Sequence, residues 1–413
     1  MKYWLTVILL ITTMDTYAVN YESKRDFPKL FGMNIGTKNY DNSKYLDDMS
    51  KLDLVILGFY PGWKKSGLNI DDVLSYLKER NPRLLIGQYT ILNEAYKPLR
   101  KYSSNGDKTK KITRQRWWLT NSTGVKQAWT DRYDAWDVNI TSWVKPDENN
   151  QTYPEWLAIR DFNIYFKNHS NFDIWYFDNV FWKPRVPYAD WQVNGDDESN
   201  LDPLVMEAYR NGQRLHWDKA SNLAPNRLLI GNTDNDLSYP QYKGALNGAF
   251  LEGLMGKSWS VANRSGWNAA MKRYRDALAN TANPKIVLFH VFGNPHDYRF
   301  FRYAYISCLL DDGYFSFTDE LVGYSSVPWF DEYNVYLGKA IDPAQYQPYT
   351  DSIYKREFEN GLVLVNTSSF TKSVSVPDGY KRFQGQQDPV INNGKEAQEL
   401  SIAGQDGIIL VKY

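Results

Sequence analysis

The sequence predicts an α/β protein: a (β/α)8 barrel followed by a small all-β, sandwich-like domain. Three observations carry this. Eight short apolar runs alternate with helical patterns between residues 31 and 317, and that count and length fit a closed parallel barrel, typically about 250 residues and larger with insertions. No Gly-x-Gly-x-x-Gly follows the first run and no phosphate loop occurs anywhere, which disfavours an open doubly wound sheet. From about residue 336 the helical period disappears, and short apolar runs separated by Gly, Pro, Asn and Asp take over.

The predicted strands cover 31–37, 53–60, 84–91, 173–180, 227–233, 248–252, 285–292 and 313–317. Each is a short run rich in β-branched, aliphatic and aromatic residues, as expected of strands covered on both faces. Between them, 42–51 has helical spacing, and Asn69 can cap a helix running to Arg80 with Val73, Leu74 and Leu77 on its buried face. Helical patterns also cover 154–167, 201–223, 258–280 and 298–310. The stretch 93–172 interrupts the rhythm with Trp117, Trp118, Trp129, Trp136 and Trp143, and a connection this long is usually functional or holds its own small elements. Its basic cluster, Lys108, Lys110, Lys111, Arg114 and Arg116, reads most simply as a solvated loop. In the last third, Asn360-Gly361 has the sequence of a hairpin turn. The expected division is a signal peptide at 1–18, a barrel at 19–335 with the insertion 93–172, and a β domain at 336–413.

Residues 1–18 have the form of an export signal: Lys2 near the start, a short apolar run, and Thr16-Tyr17-Ala18 as a cleavage site. The run is too short for a stable membrane span, so a secreted or periplasmic protein without stable membrane insertion is expected. Lys+Arg and Asp+Glu number 48 each, so nothing in the charge balance points to nucleic acid. Cys308 is the only cysteine, which excludes an intrachain disulfide and a thiolate zinc site. Asp234 and Asp236 fall in a faintly calcium-loop-like run, but the central Gly and terminal Glu are missing. No metal or cofactor is expected. Aromatic residues make up 16% of the chain, and flat rings with a polar edge suit sugars as well as cores.

Reactive groups in such barrels come from the carboxyl ends of strands. Those positions hold Asn34, Tyr60, Gln88, Asp178, Asn232, Glu252, His290 and Asp319. Asp178 ends the fourth strand and Glu252 the sixth, so the two acids can face each other across the mouth. A buried ion pair is the bland reading of any one such acid. Two of them on alternate strands supply the equipment of glycoside hydrolysis, one as nucleophile and one as proton donor. Glu252, flanked by Phe250-Leu251 and Leu254-Met255, suits the acid/base; Asp178, beside Asn179, suits the nucleophile; by environment alone the roles are exchangeable. Asn34, Tyr60, Trp63, Gln88, Tyr89, Asn179, Trp182, Asn232 and His290 are the expected substrate-binding residues. The other class open to the sequence is a non-catalytic carbohydrate-binding protein on the same scaffold.

The Tyr176-Phe177-Asp178-Asn179-Val180 strand, the Phe250-Leu251-Glu252-Gly253 strand, and the tail Arg382-Phe383-Gln384-Gly385-Gln386-Gln387-Asp388-Pro389 with Asn392-Asn393-Gly394 resemble bacterial TIM-barrel glycoside hydrolases of the group labelled hypothetical glycosyl hydrolase family 15. More distantly, the strand pattern resembles the endo-α-1,4-polygalactosaminidases of glycoside hydrolase family 114. The resemblance covers most of the chain after the signal. It implies a retaining enzyme acting on a polysaccharide or oligosaccharide, with Asp178 as nucleophile and Glu252 as acid/base.

Overall fold

The structure, a computed structural model, describes residues 26–35, 39–59, 63, 67–97, 106–233, 237–396 and 398–413. The expected signal at 1–18 lies outside these residues, as do Tyr60, Asp234 and Asp236. Eight strands form one parallel sheet in sequence order: β1 (Phe31–Asn34), β2 (Leu54–Leu57), β3 (Leu85–Ile91), β4 (Ile174–Val180), β5 (Leu228–Thr233), β6 (Gly248–Met255), β7 (Ile286–Gly293) and β8 (Tyr314–Asp319). The sheet curls until its ends meet, where Leu30 bridges Phe315 in parallel and the Phe315 amide donates to the Lys29 carbonyl at 2.9 Å. The predicted (β/α)8 barrel with a C-terminal β unit is the observed architecture.

Both faces of the barrel strands are apolar because both are buried. One set of alternate side chains, including Phe31, Ile56, Tyr176, Ile230, Phe250 and Leu288, fills the barrel interior. The other set, including Val55, Ile86, Trp175, Leu229, Ala249 and Phe289, packs against the surrounding helices. Helices α1 (Ser43–Ser50) and α2 (Ile70–Arg80) follow β1 and β2. Asn69 starts α2 as expected, in a capping box: its side chain accepts from the Asp72 amide while Asp72 accepts from the Asn69 amide, both at 2.9 Å.

The insertion after β3 is built differently from its sequence reading. The basic cluster is not a solvated loop: Lys108, Lys110, Lys111 and Arg114 lie on a helix, α3 (Gly106–Gln115), with Lys108 and Lys111 buried, and Arg116 follows its end. The Lys108 ammonium donates to the carbonyls of Ile91 and Glu94, and Lys111 pairs with Asp147 at 2.7 Å. Trp117 and Trp118 are packed inside a satellite core with Ile112, Ile140 and Leu157. That core extends to α4 (Tyr153–Asp161), which runs on as a π-helical turn, Phe162–Phe166, and to α5 (Pro203–Leu223). The predicted helix over 258–280 is two helices, α6 (Val261–Ser265) and α7 (Trp267–Asn280), because Gly266 at φ 84 breaks the helical path.

Helix α8 (Tyr298–Leu309) connects β7 to β8 and also meets the C-terminal strands. These are β9 (Ile353–Phe358), β10 (Gly361–Asn366), β11 (Lys372–Ser375), β12 (Tyr380–Arg382), β13 (Glu399–Ile402) and β14 (Asp406–Lys412). One antiparallel sheet runs β9–β10–β14–β12, and β11 pairs with β13. The β9–β10 turn is Glu359-Asn360, one residue earlier than expected, since Phe358 pairs directly with Gly361. Among the described residues no helix is long and apolar enough to cross a membrane.

Candidate active site

Strand parity decides which polar side chains reach the barrel mouth. Asp178 follows Ile174 and Tyr176 on the inward face of β4, Asn232 follows Leu228 and Ile230 on β5, and Glu252 follows Phe250 on β6. The three come together. The Asn232 side-chain amide donates to Asp178 Oδ1 at 2.9 Å and to Glu252 Oε2 at 3.1 Å. One nitrogen bonded to both acids limits the separation of those two oxygens to about 6 Å. Asp178 receives two further donors, the Tyr89 hydroxyl on Oδ2 at 2.5 Å and the Asn179 amide on Oδ1 at 2.9 Å. Glu252 receives the Tyr324 hydroxyl on Oε1 at 2.7 Å.

Each acid precedes a break in the strand. Asn179 has φ 60 and Gly253 has φ 57, and the strand register slips between Phe177 and Val180 and between Leu251 and Met255. An extra residue of left-handed conformation bends a strand and re-aims its neighbours. Asn tolerates that conformation better than other non-glycine residues. The two acids are thus aimed by matching irregularities on β4 and β6.

The environments of the acids differ. Glu252 is open to solvent on one side, but barrel-wall atoms crowd it on the others; this burial raises its pKa above the ordinary carboxylate range, with the Asp178 charge adding to the rise. Hydrogen bonds from Tyr324 and Asn232 oppose the shift. The Tyr324 phenol is itself pushed well above its usual range, by burial first and then by Glu252.

The expected site residues separate into groups. Asp178, Glu252, Asn232, Tyr89 and Asn179 come together at the mouth. Asn34 and Gln88 do not line it: both are 0% exposed, on the outward face of β1 and β3, between barrel and helices. Gln88 accepts from the Phe59 amide and donates to its neighbour's carbonyl there. His290 faces inward but is 0% exposed, lying beneath the mouth. The Gly253 amide donates to its Nδ1 at 3.0 Å, and its Nε2 lies 2.8 Å from Thr318 Oγ1. Trp63 packs edge-on against Phe59 in the barrel–helix layer. Trp182 stacks on Tyr239, with ring centroids 5.9 Å apart and planes at 6°.

Several contributors were not anticipated. Tyr324 lies on a 3-10 turn after β8, where no periodic signal marks it. Glu94, just past β3, accepts from the Trp129 indole at 2.7 Å; burial raises its pKa, and the Asp178 charge contributes. The Arg185 guanidinium stacks 3.5 Å from the Trp129 ring, with its Nη2 3.8 Å from Glu94. Tyr133, 44% exposed, lies within electrostatic range of Tyr324. The insertion therefore supplies one rim of the cleft.

No protein-family model matches the chain. No curated protein matches it in sequence. Solved structures match its fold. Amy13B of Eubacterium rectale superposes with a TM-score of 0.54 at 8% identity, over 94% of this chain and 97% of that one. An α-amylase of Lactobacillus plantarum gives 0.51 at 10% identity, over 93% and 98%. The glycoside hydrolase domain of PelA from Pseudomonas aeruginosa gives 0.43 at 12% identity, over 73% of this chain and all of that one. The chain has the TIM-barrel fold found among glycoside hydrolases.

Proposed function

We propose that the protein is a secreted or periplasmic glycosidase that cleaves a polysaccharide or oligosaccharide with retention of anomeric configuration. The observation that carries this reading is the single Asn232 amide bonded to both acids. Its ceiling of about 6 Å between their nearest oxygens favours the separation of about 5–5.5 Å typical of retaining enzymes over the roughly 6.5–9.5 Å of inverting ones.

In this mechanism Glu252 enters protonated, as its raised pKa allows, and gives its proton to the glycosidic oxygen. Asp178 attacks the anomeric carbon as that bond breaks and forms a glycosyl ester. Glu252, now ionised, takes a proton from water, which attacks the same carbon and releases Asp178. Tyr89, Asn179 and Asn232 hold the Asp178 oxygens in place throughout. The Trp129–Arg185 stack and Tyr133 offer flat and polar surfaces for the neighbouring sugar units.

The test is release of reducing ends from a panel of bacterial and fungal exopolysaccharides, with proton NMR of the first-formed anomer. Asp178→Asn and Glu252→Gln should each lower turnover about 10³-fold or more while glycan binding survives. Binding by the parent without turnover would instead favour a non-catalytic carbohydrate-binding protein. A first-formed anomer of inverted configuration would rule out the nucleophile role of Asp178.

A further inference from the structure

We propose that His290, which reaches no cleft, is a positioning residue for Glu252: it holds the Gly253 amide and thereby the bulge that aims the Glu252 carboxyl toward Asp178. This builds on the reading of Glu252 as acid/base. The bulge turns the Gly253 N–H inward, away from the strand ladder and into the barrel interior. A buried amide without an acceptor loses its hydrogen bond to water and gains none in return. His290 Nδ1, 3.0 Å away, is the acceptor that removes this cost.

The hydrogen bonds fix the form of the ring. Nδ1 accepts from a backbone amide, so it carries no proton. Nε2 therefore carries it and donates to Thr318 Oγ1 at 2.8 Å. The ring lies among Phe31, Phe250, Phe292 and Tyr324, with centroids 6.3, 5.2, 4.5 and 5.7 Å away. Among the described residues no charged side chain bonds to it, and burial holds its pKa down to about 3, so it stays neutral. A charged imidazolium would have no lone pair for Gly253. Tyr324, which donates to Glu252 Oε1, rests near the same ring. His290 thus supports Glu252 through the backbone on one side and flanks its phenol partner on the other.

The experiment uses the full chain labelled with δ-13C glutamate and titrated by NMR, the Glu252 signal being identified by its loss in Glu252→Gln. In the parent, Glu252 should titrate above the ordinary carboxylate range. In His290→Phe, which offers no acceptor, the midpoint should fall back by about one unit or more, and Gly253 amide exchange should accelerate at least about 10-fold. His290→Asn, whose Oδ1 stands near the position of Nδ1, should restore most of both. Thr318→Val, a milder change that frees the other tautomer, should shift the midpoint in the same direction by less. A folded His290→Phe with an unmoved midpoint overturns the proposal, as does His290→Asn behaving like His290→Phe. Should His290→Phe not fold, an unmoved midpoint in Thr318→Val overturns it. No readout requires turnover, so a parent inactive on every glycan counts against the proposed reaction and not against this contact.

Discussion

Asp137 lies beside the cleft, on the insertion strand opposite Glu94, and accepts the Trp129 amide at 2.8 Å. Burial pushes its pKa up to about 7, and the nearby Glu94 charge adds to the rise. A carboxyl raised in the folded state favours folding most below its unfolded pKa, near 4. That contribution is lost as pH rises through the folded value. The native state should therefore weaken between about pH 4 and pH 7 on account of this one group. Asp137→Asn keeps an oxygen for the Trp129 amide and removes the ionisation. Urea denaturation should show it about 2–4 kcal/mol more stable than the parent at about pH 8 and nearly equal to it at about pH 4. A constant difference across that range would mean that Asp137 does not titrate there. At Asn232 a neutral amide stands between two acids and donates to both.

At the scale of the element, the bulges on β4 and β6 explain what the sequence shows and what it hides. Asp178 and Glu252 were legible because each ends an apolar run at an even step from inward residues. Asn34 and Gln88 also end apolar runs, but at odd steps. When both faces of a strand are apolar, sequence pattern does not reveal which set of side chains points inward. The buried role of His290 was hidden for a different reason: it serves a backbone amide exposed only by a bulge on the neighbouring strand. Gly253 is where that bulge is most demanding. A Cβ there would lie 2.3 Å from the Trp259 ring, on a backbone at φ 57. Gly253→Ala should cost about 1–3 kcal/mol in thermal or urea unfolding from backbone strain alone. Loss of stability without displacement of Glu252, seen as an unchanged Glu252 titration, would show that Trp259 moves and the strand does not.

At the scale of the whole molecule, the barrel and the C-terminal sheets share a core. Phe301 and Ile306 of α8 belong to the same cluster as Val363, Val365 and Ile409. Within that seam Arg302, 2% exposed, makes paired bonds to Asp406 at 2.9 and 3.1 Å and another to Asp388 at 2.6 Å. Removing one partner of a buried pair leaves a charge without compensation. Arg302→Ala should lower unfolding stability by about 3–5 kcal/mol, and adding Asp406→Leu should recover part of it. Additive losses in the double variant would show that the pair is not coupled. The barrel and the β strands were legible from periodicity, whereas the insertion was not. Its Trp residues and lysines resembled loop material because a satellite core made of short segments carries no long repeat.

The closing seam of the barrel also has a consequence for the order in which the chain can fold. The open edge of β1 finds its partner at Phe315, about 285 residues later, and the segment just before it is clasped by Gly338 and Leu337. As the chain emerges during synthesis, the first strand has a neighbour on one side only until the strand holding Phe315 has been made. Contacts so distant in sequence form slowly, because a long loop must close before any of them contributes. The barrel therefore closes only after its eighth strand has been made, and until then β1 presents a free edge to which other strands can add.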